Sequence, residues 1–238
     1  MTICLWCHTR FYSPVRWANL WKLDEPEGFC ARCLKRLDKI NSDSCCKSCG
    51  RPLDNLAPRF VDNGVCFDCR EWETSPWGGI FHQNRSLYRY NEFMKEVITR
   101  FKFRGDAVLA KAFGQALADL YQRHFKGYIP VPIPLSVERL NERFFNQAEL
   151  LAQTINVPII KMLKRSRHDP KQSKKSREER LMIQDPPYKL NADYPEYKSK
   201  SFVLIDDIYT TGATVRQAAL ALAPLHPQAV ASLTLVRG

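Results

Sequence analysis

Val203-Leu204-Ile205-Asp206-Asp207-Ile208-Tyr209-Thr210-Thr211-Gly212-Ala213-Thr214 is the stretch whose reading decides the fold. The apolar, β-branched run at 201–205 predicts a short strand that ends at once in two carboxylates. In open α/β sheets, ligands bind beyond the carboxyl ends of strands. A turn rich in Thr and Gly follows and opens a helix predicted over 215–223, where Pro224 stops it. Free backbone N–H groups at a helix N-terminus, with the hydroxyls of Thr210, Thr211 and Thr214, make an anion cradle. Gly212 lets the backbone approach an anion closely. Carboxylates beside such a cradle make sense when they accept hydrogen bonds from sugar hydroxyls. The stretch therefore reads as a phosphate held by the loop and a sugar held by the acids. It is not the nucleotide P-loop, because the Gly-x-x-x-x-Gly-Lys-Ser/Thr spacing is absent. The plain alternative is a strand–turn–helix with threonine caps.

Outward from this stretch, strand and helix patterns alternate. One or two short strands are expected within 80–90, an amphipathic helix over 92–103, and a second helix over 111–121. Residues 128–134 read as a strand whose prolines suit a shaped loop at its end better than a paired interior. A helix over 146–155 and a final strand over 229–236 complete the pattern. Such alternation predicts an α/β domain with a mostly parallel sheet flanked by helices.

The N-terminal third is different in kind. All nine cysteines lie between Cys4 and Cys69. Eight form Cys-x-x-Cys pairs: Cys4/Cys7, Cys30/Cys33, Cys46/Cys49 and Cys66/Cys69. Each pair aims two thiolates at one point, and two pairs complete a tetrahedral zinc site. Spacings of 22 and 16 residues between neighbouring pairs favour tandem ribbons, so structural zinc is expected, two ions if both sites fill. All four ligand positions belong to the protein, which leaves no open position for catalysis. Metal removal should unfold so small a module. Cys45 and His8 read as bystanders. A turn-rich stretch at 74–79 marks the division into a tandem Cys4 zinc-ribbon domain, 1–73, and an α/β domain, 74–238.

Composition narrows the classes. The net charge of +11 favours acidic partners such as phosphates or nucleic acid. No basic leader precedes an apolar core, and no run of about 18 apolar residues occurs, so a cytoplasmic protein without a membrane span is expected. Cysteines in a reducing compartment bind metal in preference to forming disulfides.

The segment at 203–214 resembles the phosphoribosyl pyrophosphate (PRPP) motif of type I phosphoribosyltransferases. The resemblance implies that Asp206 and Asp207 hold the ribose hydroxyls. It also implies that Thr210, Thr211, Gly212, Ala213 and Thr214 hold the 5-phosphate, with Mg²⁺ neutralising the pyrophosphate. The four cysteine pairs, Phe101-Lys102-Phe103-Arg104-Gly105, Val131-Pro132-Ile133-Pro134 and Arg143-Phe144-Phe145-Asn146-Gln147 together resemble the ComF family of competence proteins. One departure is Phe144, where that family usually has glycine. The family implies a role in uptake of single-stranded DNA during natural transformation, with the ATP-driven, helicase-like ComFA as partner. Leu135-Ser136 with Arg139 and Arg143 resembles the superfamily's pyrophosphate loop, although these arginines also fit a solvated helix face. Asn146 and Gln147 fit a cap on the helix that follows.

Residues 161–180 carry nine Lys/Arg against three Asp/Glu. Their core, Lys171-Gln172-Ser173-Lys174-Lys175, has no hydrophobic period and reads as a flexible loop. It fits a lid over pyrophosphate, a contact for DNA phosphates, or a plain solvated loop. Two functions follow from the whole chain. One is a DNA-uptake factor with a sugar-phosphate ligand; the other is an active phosphoribosyltransferase with an unknown acceptor.

Overall fold

Residues 1–12, 28–54, 56–103, 106–165 and 187–238 are described by a computed structural model of the chain. Near the N-terminus, β1 (Thr2–Ile3) and β2 (Arg10–Phe11) form a small hairpin, followed by the single-turn helix α1 (Ala31–Leu34). A second hairpin pairs β3 (Val61–Asp62) with β4 (Val65–Cys66) and leads into α2 (Phe67–Glu73). The α/β region then runs β5 (Asn84–Arg89), α3 (Glu92–Phe103), α4 (Leu109–His124), β6 (Ile129–Pro132), α5 (Val137–Arg143) and α6 (Gln147–Gln153). It continues with β7 (Leu163–Arg165), β8 (Tyr188–Leu190), β9 (Ser201–Tyr209), α7 (Ala213–Ala221) and β10 (Ala229–Arg237). No helix among the described residues is long and apolar enough to cross a membrane.

The main sheet is parallel, in the order β5–β10–β9–β6. This is the parallel sheet flanked by helices that the alternating pattern predicts, and it fits the fold that the phosphoribosyltransferase resemblance implies. The prolines of β6 cause no conflict because β6 is an edge strand, where a missing N–H leaves no ladder bond unmade. The two faces of β9 feed two apolar layers, since side chains alternate along a strand. Val203 and Ile205 pack with Val97, Phe101, Phe113 and Leu151 from α3, α4 and α6, whereas Phe202 and Leu204 pack with Val215 and Ala219 of α7.

Helix α3 forms because Phe93, Met94, Val97, Ile98 and Phe101 fall on one face, and Asn91 Oδ1 accepts the N–H of Met94 at its start. Asn146 caps α6 through the N–H of Ala148, and its amide donates to the Ile133 carbonyl, fastening the loop after β6. Strand β9 runs four residues beyond the predicted apolar core, so both acids lie within it. Its pairing with β6 ends at Ile205, while its pairing with β10 continues to Tyr209. The carboxylates thus stand where one neighbouring strand has stopped, which leaves the flank of β9 beyond Ile205 without a β6 partner.

Candidate phosphosugar site and metal centres

The two cysteine sets assemble as the spacing predicts: Cys4, Cys7, Cys30 and Cys33 in one group, and Cys46, Cys49, Cys66 and Cys69 in the other. In each group all four sulfurs lie within 4.8 Å of one another. Zinc–sulfur bonds of about 2.3 Å in a tetrahedron require sulfur–sulfur edges of about 3.8 Å. The Cys7–Cys30 and Cys49–Cys66 sulfurs are 3.6 and 3.7 Å apart. Backbone N–H groups complete the match, with Cys30 donating to Cys4 Sγ and Cys66 to Cys46 Sγ, both at 3.3 Å. Hydrogen bonds from Cys49, Cys66 and Cys69 hold Cys46 far below the ordinary thiol range, and Cys66 and Cys69 are pushed up. One divalent cation satisfies such crowded sulfurs together by displacing their protons. Cys45 stands apart, donating to the Ser42 carbonyl, and His8 lies outside the first group.

Asp206 and Asp207 project from opposite faces of β9. Asp207 is buried and meets the ammonium of Lys102, from the last turn of α3, at 2.5 Å. Asp206 is half-buried and accepts the N–H of Asp207 through Oδ1 at 2.8 Å. Burial, then the neighbouring Asp207 charge, pushes the Asp206 carboxyl up to about 8, with Lys102 opposing. Donors to this pair, such as ribose hydroxyls or a cation on a pyrophosphate, would relieve that repulsion.

After β9, Thr210 and Thr211 are exposed and Gly212 sits at φ +85°, immediately before Ala213 opens α7. A Cβ at Gly212 would collide with the Tyr209 hydroxyl and the Arg216 guanidinium, so glycine is required for both space and backbone conformation. Thr211 Oγ1 accepts from the N–H of Ala213, and Thr214 is exposed on the first turn. These residues leave a polar, open loop at the helix N-terminus.

Arg216 lies beneath the loop and is 1% exposed. Its Nη1 donates to Tyr209 Oη at 3.0 Å, and its guanidinium stacks 4.2 Å from the Trp72 ring centroid. The Trp72 indole N–H donates to the Thr211 carbonyl at 2.9 Å. Helix α2, which carries Cys69 and follows Cys66, therefore touches the loop directly.

After β6, Ser136 caps α5 by accepting from Arg139 N–H, and Leu135 precedes it half-buried. Arg143 donates to Gln147 and stacks over Phe103 at 5.2 Å. Its Nε is buried without a hydrogen-bond partner, and the charges of Asp207 and Asp206 act on it. The structure thus brings Arg143 to the acidic pair, while Ser136 serves the helix start. Lys171, Gln172, Lys174 and Lys175 fall outside the described residues; β7 and β8, which flank that segment in the chain, pair antiparallel. Sequence reasoning assigned no role to Lys102, Trp72 or Arg216. Lys102 lay within a quoted motif, but nothing local showed what it faces.

The family model for the phosphoribosyl transferase domain matches residues 144–238. The competence protein ComFC of Bacillus subtilis is 40% identical, with 99% of this chain and 95% of the relative covered. That of Streptococcus pneumoniae is 33% identical over 83% of this chain and 90% of its own length. Competence protein F of Haemophilus influenzae is 28% identical over 80% and 82%. With relatives matched over nearly its whole length and a phosphoribosyl transferase domain at its C-terminal end, the chain belongs to the ComF family of competence proteins.

Proposed function

We propose that this protein is a cytoplasmic DNA-uptake factor of natural transformation that binds PRPP, or a closely related phosphosugar, with Mg²⁺. The carrying observation is the paired carboxylates of Asp206 and Asp207 at the end of β9, beside the open Thr210–Thr214 loop at the start of α7. In this reading the acids take the ribose hydroxyls and the loop takes the 5-phosphate. Arg143 and Arg139 face the pyrophosphate, with Leu135 and Ser136 shaping that turn. The basic segment around Lys174 contacts pyrophosphate or DNA phosphates. Two zinc ions hold the unit at 1–73, and 74–238 forms the sugar-phosphate unit. Single-stranded DNA and a ComFA-like ATPase are its partners in this reading, as the family resemblance implies, and the charge of +11 suits a nucleic-acid partner.

The test is the melting temperature of the zinc-loaded protein in Mg²⁺, titrated with PRPP and separately with ribose 5-phosphate. Ligand at about a hundred times its dissociation constant adds roughly 2.7 kcal/mol, a shift of several degrees. The wild type should shift and an Asp206→Asn/Asp207→Asn variant should not. No shift with either ligand rejects the phosphosugar reading. Release of pyrophosphate that requires an added acceptor would instead establish a transferase.

A further inference from the structure

We infer that Phe103 and Phe144, with Arg143 between them in the contact chain, form a stacking platform for the bases of single-stranded DNA at the rim of the phosphosugar site. The inference rests on the nucleic-acid reading above and locates its surface.

Phe144 is the starting point. It is 87% exposed and ends α5 at φ +65°, donating its N–H to the Leu140 carbonyl. A side chain there is strained, and glycine is the residue that relieves it. Burial returns nothing for a ring so exposed. Phe103, 67% exposed at the end of α3, repeats the anomaly on the adjoining element. Val137 and Leu140, one turn apart on α5 and also exposed, extend the apolar strip toward Phe144.

This strip is not simply apolar. The Arg143 guanidinium lies 5.2 Å from the Phe103 ring centroid, an arrangement that leaves the outer ring face available. Arg143, the last residue of α5, feels the charges of both Asp207 and Asp206, so the strip borders the acidic pair. Aromatic faces interleaved with arginine are how sequence-tolerant proteins hold unpaired bases, and a chain of charge +11 complements the phosphates. The sites adjoin: Lys102, next to Phe103, holds Asp207. Exposed rings beside cations fit splayed bases.

The experiment is fluorescence anisotropy of labelled oligothymidylate of about 12 nucleotides against the full-length, zinc-loaded chain. Phe103→Ala and Phe144→Ala should each weaken binding about tenfold, with the dependence on salt unchanged because no phosphate contact is removed. Trp at either position should restore it. An abasic oligomer should bind wild type and variants equally. Phe144→Gly should melt above wild type yet bind oligothymidylate as weakly as Phe144→Ala, which separates recognition from folding. Unchanged affinity in both Ala variants, or an equal loss for the abasic oligomer, overturns the platform. Failure of the wild type to bind oligothymidylate overturns the nucleic-acid reading with it. The PRPP-induced melting shift should persist in both Ala variants, so failure of the phosphosugar reading registers separately.

Discussion

The two Cys4 units are near copies at the level of their ligands and differ in what they touch. Each joins two Cys-x-x-Cys turns, and in each one backbone N–H reaches a sulfur of the opposite pair at 3.3 Å. The first unit meets the α/β region chiefly through aromatic packing, supplemented by a hydrogen bond from Arg100. Trp6 and Phe29 contact Phe93 of α3, Phe29 also contacts Phe113 of α4, and Arg100 donates to the Trp6 carbonyl. The second is wired to the sheet and to the loop by directed bonds. Asn84, fully buried, donates to the Cys49 carbonyl; Arg237 of β10 donates to Cys49 Sγ; Trp72 donates to the Thr211 carbonyl. Apolar packing tolerates small displacements, whereas hydrogen bonds lose strength steeply with angle and distance. One repeated motif therefore serves two purposes: the first braces the helices, and the second fixes the Thr210–Thr214 loop.

The largest effect should come from breaking the second unit. Structural zinc contributes on the order of 10 kcal/mol in small modules, so Cys46→Ser is expected to abolish both folding of that unit and the PRPP shift. Cys4→Ser should lose one zinc and lower the melting temperature but keep the shift. Metal analysis with ligand melts distinguishes the two, and equal loss of the shift would erase the contrast.

Next is the ion pair that α3, braced by the first unit, sends to the site. Lys102→Met leaves Asp207 buried without its cation and should cost about 3 kcal/mol, measured by denaturant unfolding. Asp206 gives a smaller effect with a definite sign. Its carboxyl is raised from 3.8 to about 8, so the folded state holds a proton that the unfolded chain releases near pH 4. Its contribution is therefore fully present below pH 4 and is lost as pH rises toward 8. Asp206→Asn should flatten this profile, matching wild type at low pH and exceeding it by about 1–2 kcal/mol at pH 8, a figure discounted for solvent access. A parallel profile would place the proton elsewhere. The smallest effect tests the wire itself: Trp72→Phe keeps the ring and deletes one hydrogen bond, costing about 1 kcal/mol. Its loss should fall on phosphosugar affinity more than on zinc content.

What could be read beforehand depended on sequence separation. The cysteine pairing and the strand–acid–turn–helix order are local, and residues a few positions apart carried them. The left-handed turn at Phe144 was flagged only as a departure from glycine; its exposure was not legible, because a single phenylalanine looks the same buried or bare. The extension of β9 to Tyr209 was hidden because Asp206 and Asp207 read as the end of an apolar run, while the pairing that continues the strand comes from β10. Trp72 and Thr211 are 139 residues apart, and Arg237 and Cys49 are 188 apart. No local pattern announces such partners. Arg216 misleads in the same way, since a basic residue in a helix ordinarily faces solvent and this one is enclosed by Trp72, Phe81 and Tyr209.

The place of β10 has a consequence for how the molecule is made. It is an interior strand of the main sheet, lying between β5 and β9, yet it is the last along the chain among the described strands. Ser232 bonds to Asn84 across 148 residues, so β5 waits through most of synthesis for its neighbour. Pairing of such long reach closes late and slowly. Until residues 229–237 have left the ribosome, the Cys49 carbonyl can find Asn84 but its sulfur lacks Arg237, and the acidic strand stands with one side bare. A nascent chain can therefore gather its cysteines early, while the acidic strand and the proposed sugar-phosphate site wait for the final strand.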